Sequence, residues 1–208
     1  MFVLVANPSS DAATVQLDYL LTNGQTVTRT HTVPASSRLT LNVAFEAPEL
    51  ASANMSTVVT STNAVPIVVE RAMWWPAPGV NWQEAHNSPG EIVTGTRWAV
   101  AEGESGGPNG KQTYLLIANT STFAGSARVV LLFEDGTTAE KLFALPASSR
   151  TNVSVDAEFP AAAGRRYGAL IETQGATPAQ IVVERAMYSN ANGIIWAAGT
   201  NALATRLQ

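Results

Sequence analysis

Two short clusters in this 208-residue chain hold residue types that could do chemistry. One is His86-Asn87-Ser88-Pro89-Gly90, which places one of only two histidines two residues from a serine. A histidine that removes a serine's proton makes that serine a nucleophile, the chemistry of ester or lactone hydrolysis. The other is a Glu-Arg pair inside the apolar stretch "IVVERAM", which occurs twice, at Ile67–Met73 and Ile181–Met187. There Glu70 and Glu184 are candidate general acids or bases.

The spacing argues against both. His86 and Ser88 lack the Gly-x-Ser-x-Gly elbow, and residues two apart do not readily form a nucleophile–base hydrogen bond. Asn87, Ser88, Pro89 and Gly90 are turn formers, so a turn is expected here. His86 and Ser88 stay as weak catalytic candidates. His31 sits in a strand-like run, where a half-buried position accounts for it.

The Glu-Arg pair reads as a structural device. Neighbours on a strand point to opposite faces, and both faces of this run are apolar, so one charge is at least partly buried. A buried charge needs a partner. "PASSR" also occurs twice, ending at Arg38 and Arg150. Arginine's fork suits a carboxylate, so internal ion pairs Glu70–Arg38 and Glu184–Arg150 are expected.

Other candidates are the tryptophans and the loop Glu102–Lys111. Trp82 and Trp196 match each other in the repeat described next and are expected in cores. Trp75 matches Ser189, so it is expected at the surface; with Trp98 it is a candidate for ligand or sugar binding. The loop "EGESGGPNGK" fails the phosphate-loop pattern, and Glu102 and Glu104 would repel phosphate. No His-x-His, His-Glu-x-x-His or Asp-x-Asp-x-Asp-Gly pattern occurs, so no metal and no cofactor is expected. For glycoside hydrolysis, Glu70, Glu102, Glu104 and Asp135 are available, but no spacing singles out a pair.

The elements that position these residues follow from the repeat. "LVAN" at Leu4–Asn7 and "LIAN" at Leu116–Asn119 are 112 apart, as are the two "PASSR" stretches, and Asn23-Gly24 and Asp135-Gly136. The "IVVERAM" pair and Trp82/Trp196 are 114 apart. Ordered matches at one offset predict a tandem duplication, with a period suited to domains of 1–96 and 97–208. Alternating β-branched runs flank Asn-Gly and Asp-Gly, the strongest short hairpin signal. About seven short strands per copy predict an all-β chain of two tandem immunoglobulin-like antiparallel β-sandwich domains arising from internal duplication. "APELASAN" and "FPAAAGRR" could each form a helical turn.

Composition narrows the partners. Charged residues make up 13% of the chain and the net charge is −4. That leaves no basic patch for nucleic acid. No apolar run reaches the roughly 18 residues of a membrane helix. There is no cysteine, so disulfides and thiolate chemistry are excluded. "MFVLVANPSS" has no signal-peptide pattern and reads as a strand. The expectation is a chain that starts after a removed leader or part-way through a longer protein.

"YLLIANTS", "PASSRTNVSV", "VVERAMY", "HNSPG" and "RWAVAEGESG" together resemble a bacterial β-sandwich repeat family of unknown function. The family's order is a Trp-x-x-Ala-Glu-Gly strand, the Leu-x-Ala-Asn strand, the Glu-Arg-x-Met strand and the His-Asn-Ser-x-Gly turn. Nearly the whole chain takes part. The resemblance implies exported or cell-surface β-sandwich architecture and no particular chemistry. One departure stands out: "RWAVAEG" at Arg97–Gly103 precedes the second copy, and nothing equivalent precedes the first. Either the first sandwich lacks a strand, or Trp98–Gly103 serves it. A missing strand leaves an edge that could pair with another chain.

The expected function is a non-catalytic, extracellular or cell-surface structural, adhesive or binding module. Its expected partner is itself, by strand-edge association, or an extracellular polymer, with no membrane insertion. The alternatives are a hydrolase of esters, lactones or glycosides and a carbohydrate-binding module.

Overall fold

Asn23-Gly24 and Asp135-Gly136 each close a hairpin. Gly24 and Gly136 adopt φ of 83° and 80°, which a side chain would strain. The Asn23 and Asp135 side chains accept hydrogen bonds from the backbone N–H groups of Gln25 and Thr137. The structure is a computed structural model and describes residues 1–77 and 79–208.

The first half contains β1 (Phe2–Asn7), β2 (Ala13–Leu21), β3 (Thr26–Val33), β4 (Ser37–Asn42), β5 (Met55–Ser61), β6 (Val68–Ala77) and β7 (Val80–Pro89). The second contains β8 (Arg97–Glu104), β9 (Gln112–Asn119), β10 (Gly125–Phe133), β11 (Thr138–Leu145), β12 (Ser149–Ser154), β13 (Arg166–Gln174), β14 (Ile181–Ala191), β15 (Ile194–Leu203) and β16 (Thr205–Arg206). All ladders between these strands are antiparallel. The chain is all-β, with two β-sandwiches. Single helical turns at Pro48–Leu50, Val155–Glu158 and Pro160–Ala162 interrupt the strands.

In the first sandwich, sheet β4-β1-β6-β7 packs over sheet β3-β2-β5. Inward residues alternate along β2, where Val15, Leu17 and Tyr19 are fully buried. In the second, sheet β12-β9-β14-β15 packs over sheet β11-β10-β13-β8-β16, around Leu115, Ile117, Val129, Leu131 and Ile171. The repeated Leu-x-Ala-Asn strand ends on a buried lashing. The amide of Asn7 donates to the carbonyls of Val33 and Pro34, and that of Asn119 to those of Leu145 and Pro146. Each Asn oxygen accepts a backbone N–H, from Ser9 and Ser121. A buried amide with its donors and acceptor satisfied fixes the Pro-Ala-Ser-Ser turn against β1 and β9.

The two sandwiches differ at one strand. β8, which carries Trp98, pairs with β13 in the second sandwich. Trp98–Gly103 therefore does not serve the first. There β5, the counterpart of β13, pairs with β2 alone among the described residues.

Candidate functional site

Of the residues singled out for chemistry, His86, Ser88, Glu184 and Trp75 converge on the seam between the sandwiches. The ladder explains which way each points. Directly paired residues of an antiparallel ladder share a face. Arg71 pairs with Val3 and Ser88, Met73 with His86, and Trp75 with Glu84. Val3 and Val5 face the core of the first sandwich. Arg71, Met73, Trp75, His86 and Ser88 thus continue that inward face along β6 and β7. In the second sandwich Glu184 pairs with Leu116 and Ala186 with Tyr114, on the outward face, while Arg185 pairs with Leu115 on the inward one.

These two surfaces meet. Arg71 Nη2 donates to Glu184 Oε1 at 2.7 Å, and Asn201 Nδ2 donates to the same oxygen at 2.6 Å. Arg71 Nε donates to Ser88 Oγ at 3.3 Å. Trp75 Nε1 donates to the Trp196 carbonyl at 2.8 Å, and its ring meets Tyr188 edge-on with centroids 5.4 Å apart. Tyr188 stacks on Trp196 at 4.7 Å. Leu116, Ala186 and Tyr188 are buried here, with Trp75, Tyr114 and Trp196 packed around them. Gly199 admits the Trp75 ring: a Cβ there would lie 2.6 Å from it. At the far end of the seam, Arg150 donates to Asn152 Oδ1 and to the carbonyl of Met55.

Charge in the seam follows from this packing. His86 Nε2 lies 3.4 Å from Tyr188 Oη, and its Nδ1 is buried without a partner among the described residues. Burial, and then the Arg71 guanidinium, hold His86 below the usual histidine range, against weaker opposition from Glu184 and Glu84. Burial raises the Tyr188 hydroxyl. Burial also brings Arg150 down to about 10, so it remains charged at neutral pH.

Several expectations need correction. Glu70–Arg38 and Glu184–Arg150 are not the ion pairs. Glu70 faces Leu4, which faces Thr40, while Arg38 faces Ala6, which faces Val68. Arg38 and Glu70 are two strands apart, about 10 Å, and out of step by two residues. Arg38 donates instead to Thr40 Oγ1. The buried member of "IVVERAM" is the arginine; Arg185 is 5% exposed and lies 3.1 Å from Glu102 Oε2, within ion-pair range but off hydrogen-bond geometry. Trp98 is 0% exposed, and Trp75 is tied into the seam, so neither offers a ligand-binding surface. Trp82 is not core: it is 71% exposed, beside Trp74, which stacks on Phe2. Trp196 belongs to the seam. His86-Asn87-Ser88 is not a turn, because β7 runs through Pro89; the two side chains lie on one face, and Ser88 points to Arg71 rather than His86.

Glu104 and Asp135, outside the seam, are engaged as well. Glu104 accepts from Lys111 at 2.7 Å, and that contact holds its carboxyl below the usual range. Asp135 accepts from Thr137 and pairs with Arg165, and is likewise lowered, chiefly by Thr137. Such carboxyls stay ionised at neutral pH. His31 pairs with Glu46 at 2.7 Å.

Sequence reasoning missed Tyr188, Asn201 and Gly199. A signal for Asn201 was present, since Asn87 stands 114 residues earlier.

The fold and seam define an all-β protein of two sandwiches joined face to face. No protein-family model and no curated protein matches the chain. Among solved structures it is similar to Thermotoga maritima 1070, at 14% identity over 55% of this chain and 97% of that one, with a TM-score of 0.47. It is also similar to the Anabaena sensory rhodopsin transducer, at 18% identity over 46% and 91%, with a TM-score of 0.37.

Proposed function

We propose that this chain is a non-catalytic structural or binding module of an exported or cell-surface protein, built by duplication of one sandwich. The observation that carries the reading is the seam. The residues with chemical potential, Arg71, His86, Ser88 and Glu184, are engaged with one another or with residues that join the sandwiches. The family resemblance supports export and a repeat architecture. The proposed partners are a second copy, through a strand edge, or an extracellular polymer.

The test is a panel of chromogenic ester, lactone and glycoside substrates offered to the folded chain, alongside His86→Ala and Glu184→Gln. No turnover above buffer is expected. Turnover that either substitution abolishes while the circular dichroism stays native would establish the hydrolase instead. A carbohydrate-binding reading keeps one supporting observation, the exposed Trp82 beside Trp74 and Phe2. Aromatic faces stack on sugar rings. Retention on insoluble polysaccharide that Trp82→Ala removes would favour it.

A further inference from the structure

The second sandwich shows what fills the place that stands open in the first. In the second, β8 lies between β13 and β16: Ile171 faces Trp98, which faces Arg206, and Leu170 faces Ala99, which faces Thr205. The first sandwich has both rims of that place. Val59 faces Leu17 as Ile171 faces Val129, with both members 112 residues apart, so Val59 and Val58 stand where Ile171 and Leu170 stand. On the other side, the Gly90 N–H donates to the Val69 carbonyl at 2.8 Å, as the Ala204 N–H donates to that of Val183 at 2.9 Å. In the second sandwich Thr205–Arg206 follow and pair with β8. In the first, Glu91 and Ile92 follow and form no strand. The backbone N–H groups of Ile92 and Val93 donate to the carboxylate of Glu91, and Ile92 is 97% exposed.

Burial between the rims differs in the same sense. Ile171, Ile181 and Val183 are fully buried, with Trp98 over their core. Val59, Ile67 and Val69, at the equivalent positions, are only half-buried. One end is closed: Arg150 holds the Met55 carbonyl, and Glu184 holds Arg71. The open length runs along Thr57–Thr60, matching the four residues Arg97–Val100 of β8.

We propose that the first sandwich is a β-strand acceptor. It takes an extended segment from outside these 208 residues with β8's pattern, a tryptophan followed two residues later by a valine-sized apolar residue. The segment adds antiparallel to β5, between β5 and Glu91–Ile92. Its tryptophan enters over Val59, Ile67 and Val69, and its outward residues stay in solvent. Backbone ladder bonds supply affinity, and the inward pocket supplies specificity. Such a segment gives partners to the backbone groups that an edge strand leaves free. This deepens the module reading by naming the kind of partner, and it rests on that reading. Its test is independent of the substrate panel.

The probe is the capped peptide TRWAVAEGE, the sequence of Thr96–Glu104, labelled and titrated into the full chain by fluorescence anisotropy, with thermal unfolding in parallel. Saturable one-to-one binding and a raised Tm are expected. A peptide with Trp98→Ala should bind about tenfold or more weakly, since its largest buried group is gone. A peptide with Ala99→Pro, which breaks the strand without touching the protein, should not bind. Folded Val59→Lys protein should lose the interaction. No saturable binding up to millimolar peptide overturns the proposal. So does equal binding of the altered peptides, or binding that survives Val59→Lys, which would place the peptide elsewhere.

Discussion

Arg71 and Arg185 occupy equivalent positions, face inward on equivalent strands, and find their carboxylates in different places. Arg185 meets Glu102 of β8, within its own sandwich. Arg71 has no such strand beside it among the described residues and meets Glu184 of the other sandwich. Among the described residues no counterpart of β8 stands there, and the pair forms between sandwiches rather than within one. The outward face of β9, β14 and β15 covers the inward face of β6 and β7. The same motif thus stabilises one sandwich from within and couples the other to its neighbour.

The comparison is broken most severely at the tryptophans. Trp98→Ala removes the largest fully buried side chain, and the second sandwich should lose about 3–5 kcal/mol in urea unfolding. Trp82→Ala, at a position 71% exposed, should change stability by no more than about 0.5 kcal/mol. Similar losses at both would remove the distinction between core and surface tryptophan.

Gly199→Ala comes next. Its Cβ would meet the Trp75 ring at 2.6 Å, and overpacking of this kind costs about 1–3 kcal/mol. The loss should appear as separation of one calorimetric unfolding transition into two, because the wedge opens the seam and leaves both cores intact. A lowered but single transition would show that Gly199 is not acting at the seam.

His86 sharpens the comparison with the smallest effect. Its folded pKa lies below its unfolded value near 6.5. The neutral ring therefore contributes stability that is present above about pH 6.5 and lost as pH falls through the folded pKa. Arg71 and Tyr188, Glu184 and Glu84 surround it, so the slope contains their terms also. The test is Tm from pH 8 to 5 for the wild type and His86→Gln, whose side chain carries no titrating proton. The wild type should lose more on acidification, by at most about 1.4 kcal/mol per pH unit. Parallel curves would mean that His86 protonates freely in the folded state.

The sandwich fold was legible because its signals are local. Asn23-Gly24 and Asp135-Gly136 fix hairpins, and β-branched alternation fixes which residues face inward. The charged pairs were not legible, because they depend on register across two ladders. Arg38 and Glu70 occupy one face, but a two-residue offset keeps them apart. The exposure of Trp75 and Trp82 was misread for a related reason: Trp75 is covered by the other sandwich, and nothing in its own strand announces that. "RWAVAEG" occurs once in these residues, which left open whether the first sandwich lacks a strand or is served by Trp98–Gly103, and pairing with β13 decides for the second sandwich; where the two sandwiches would meet was not visible.

The most direct test of the account is a double-mutant cycle on Arg71→Ala and Glu184→Gln, measured by urea unfolding at pH 7, with Arg185→Ala as the comparison. Coupling of about 1 kcal/mol or more between Arg71 and Glu184, and additivity between Arg185 and Glu184, is the predicted result. Additive effects of Arg71→Ala and Glu184→Gln would contradict the claim that this pair joins the two sandwiches.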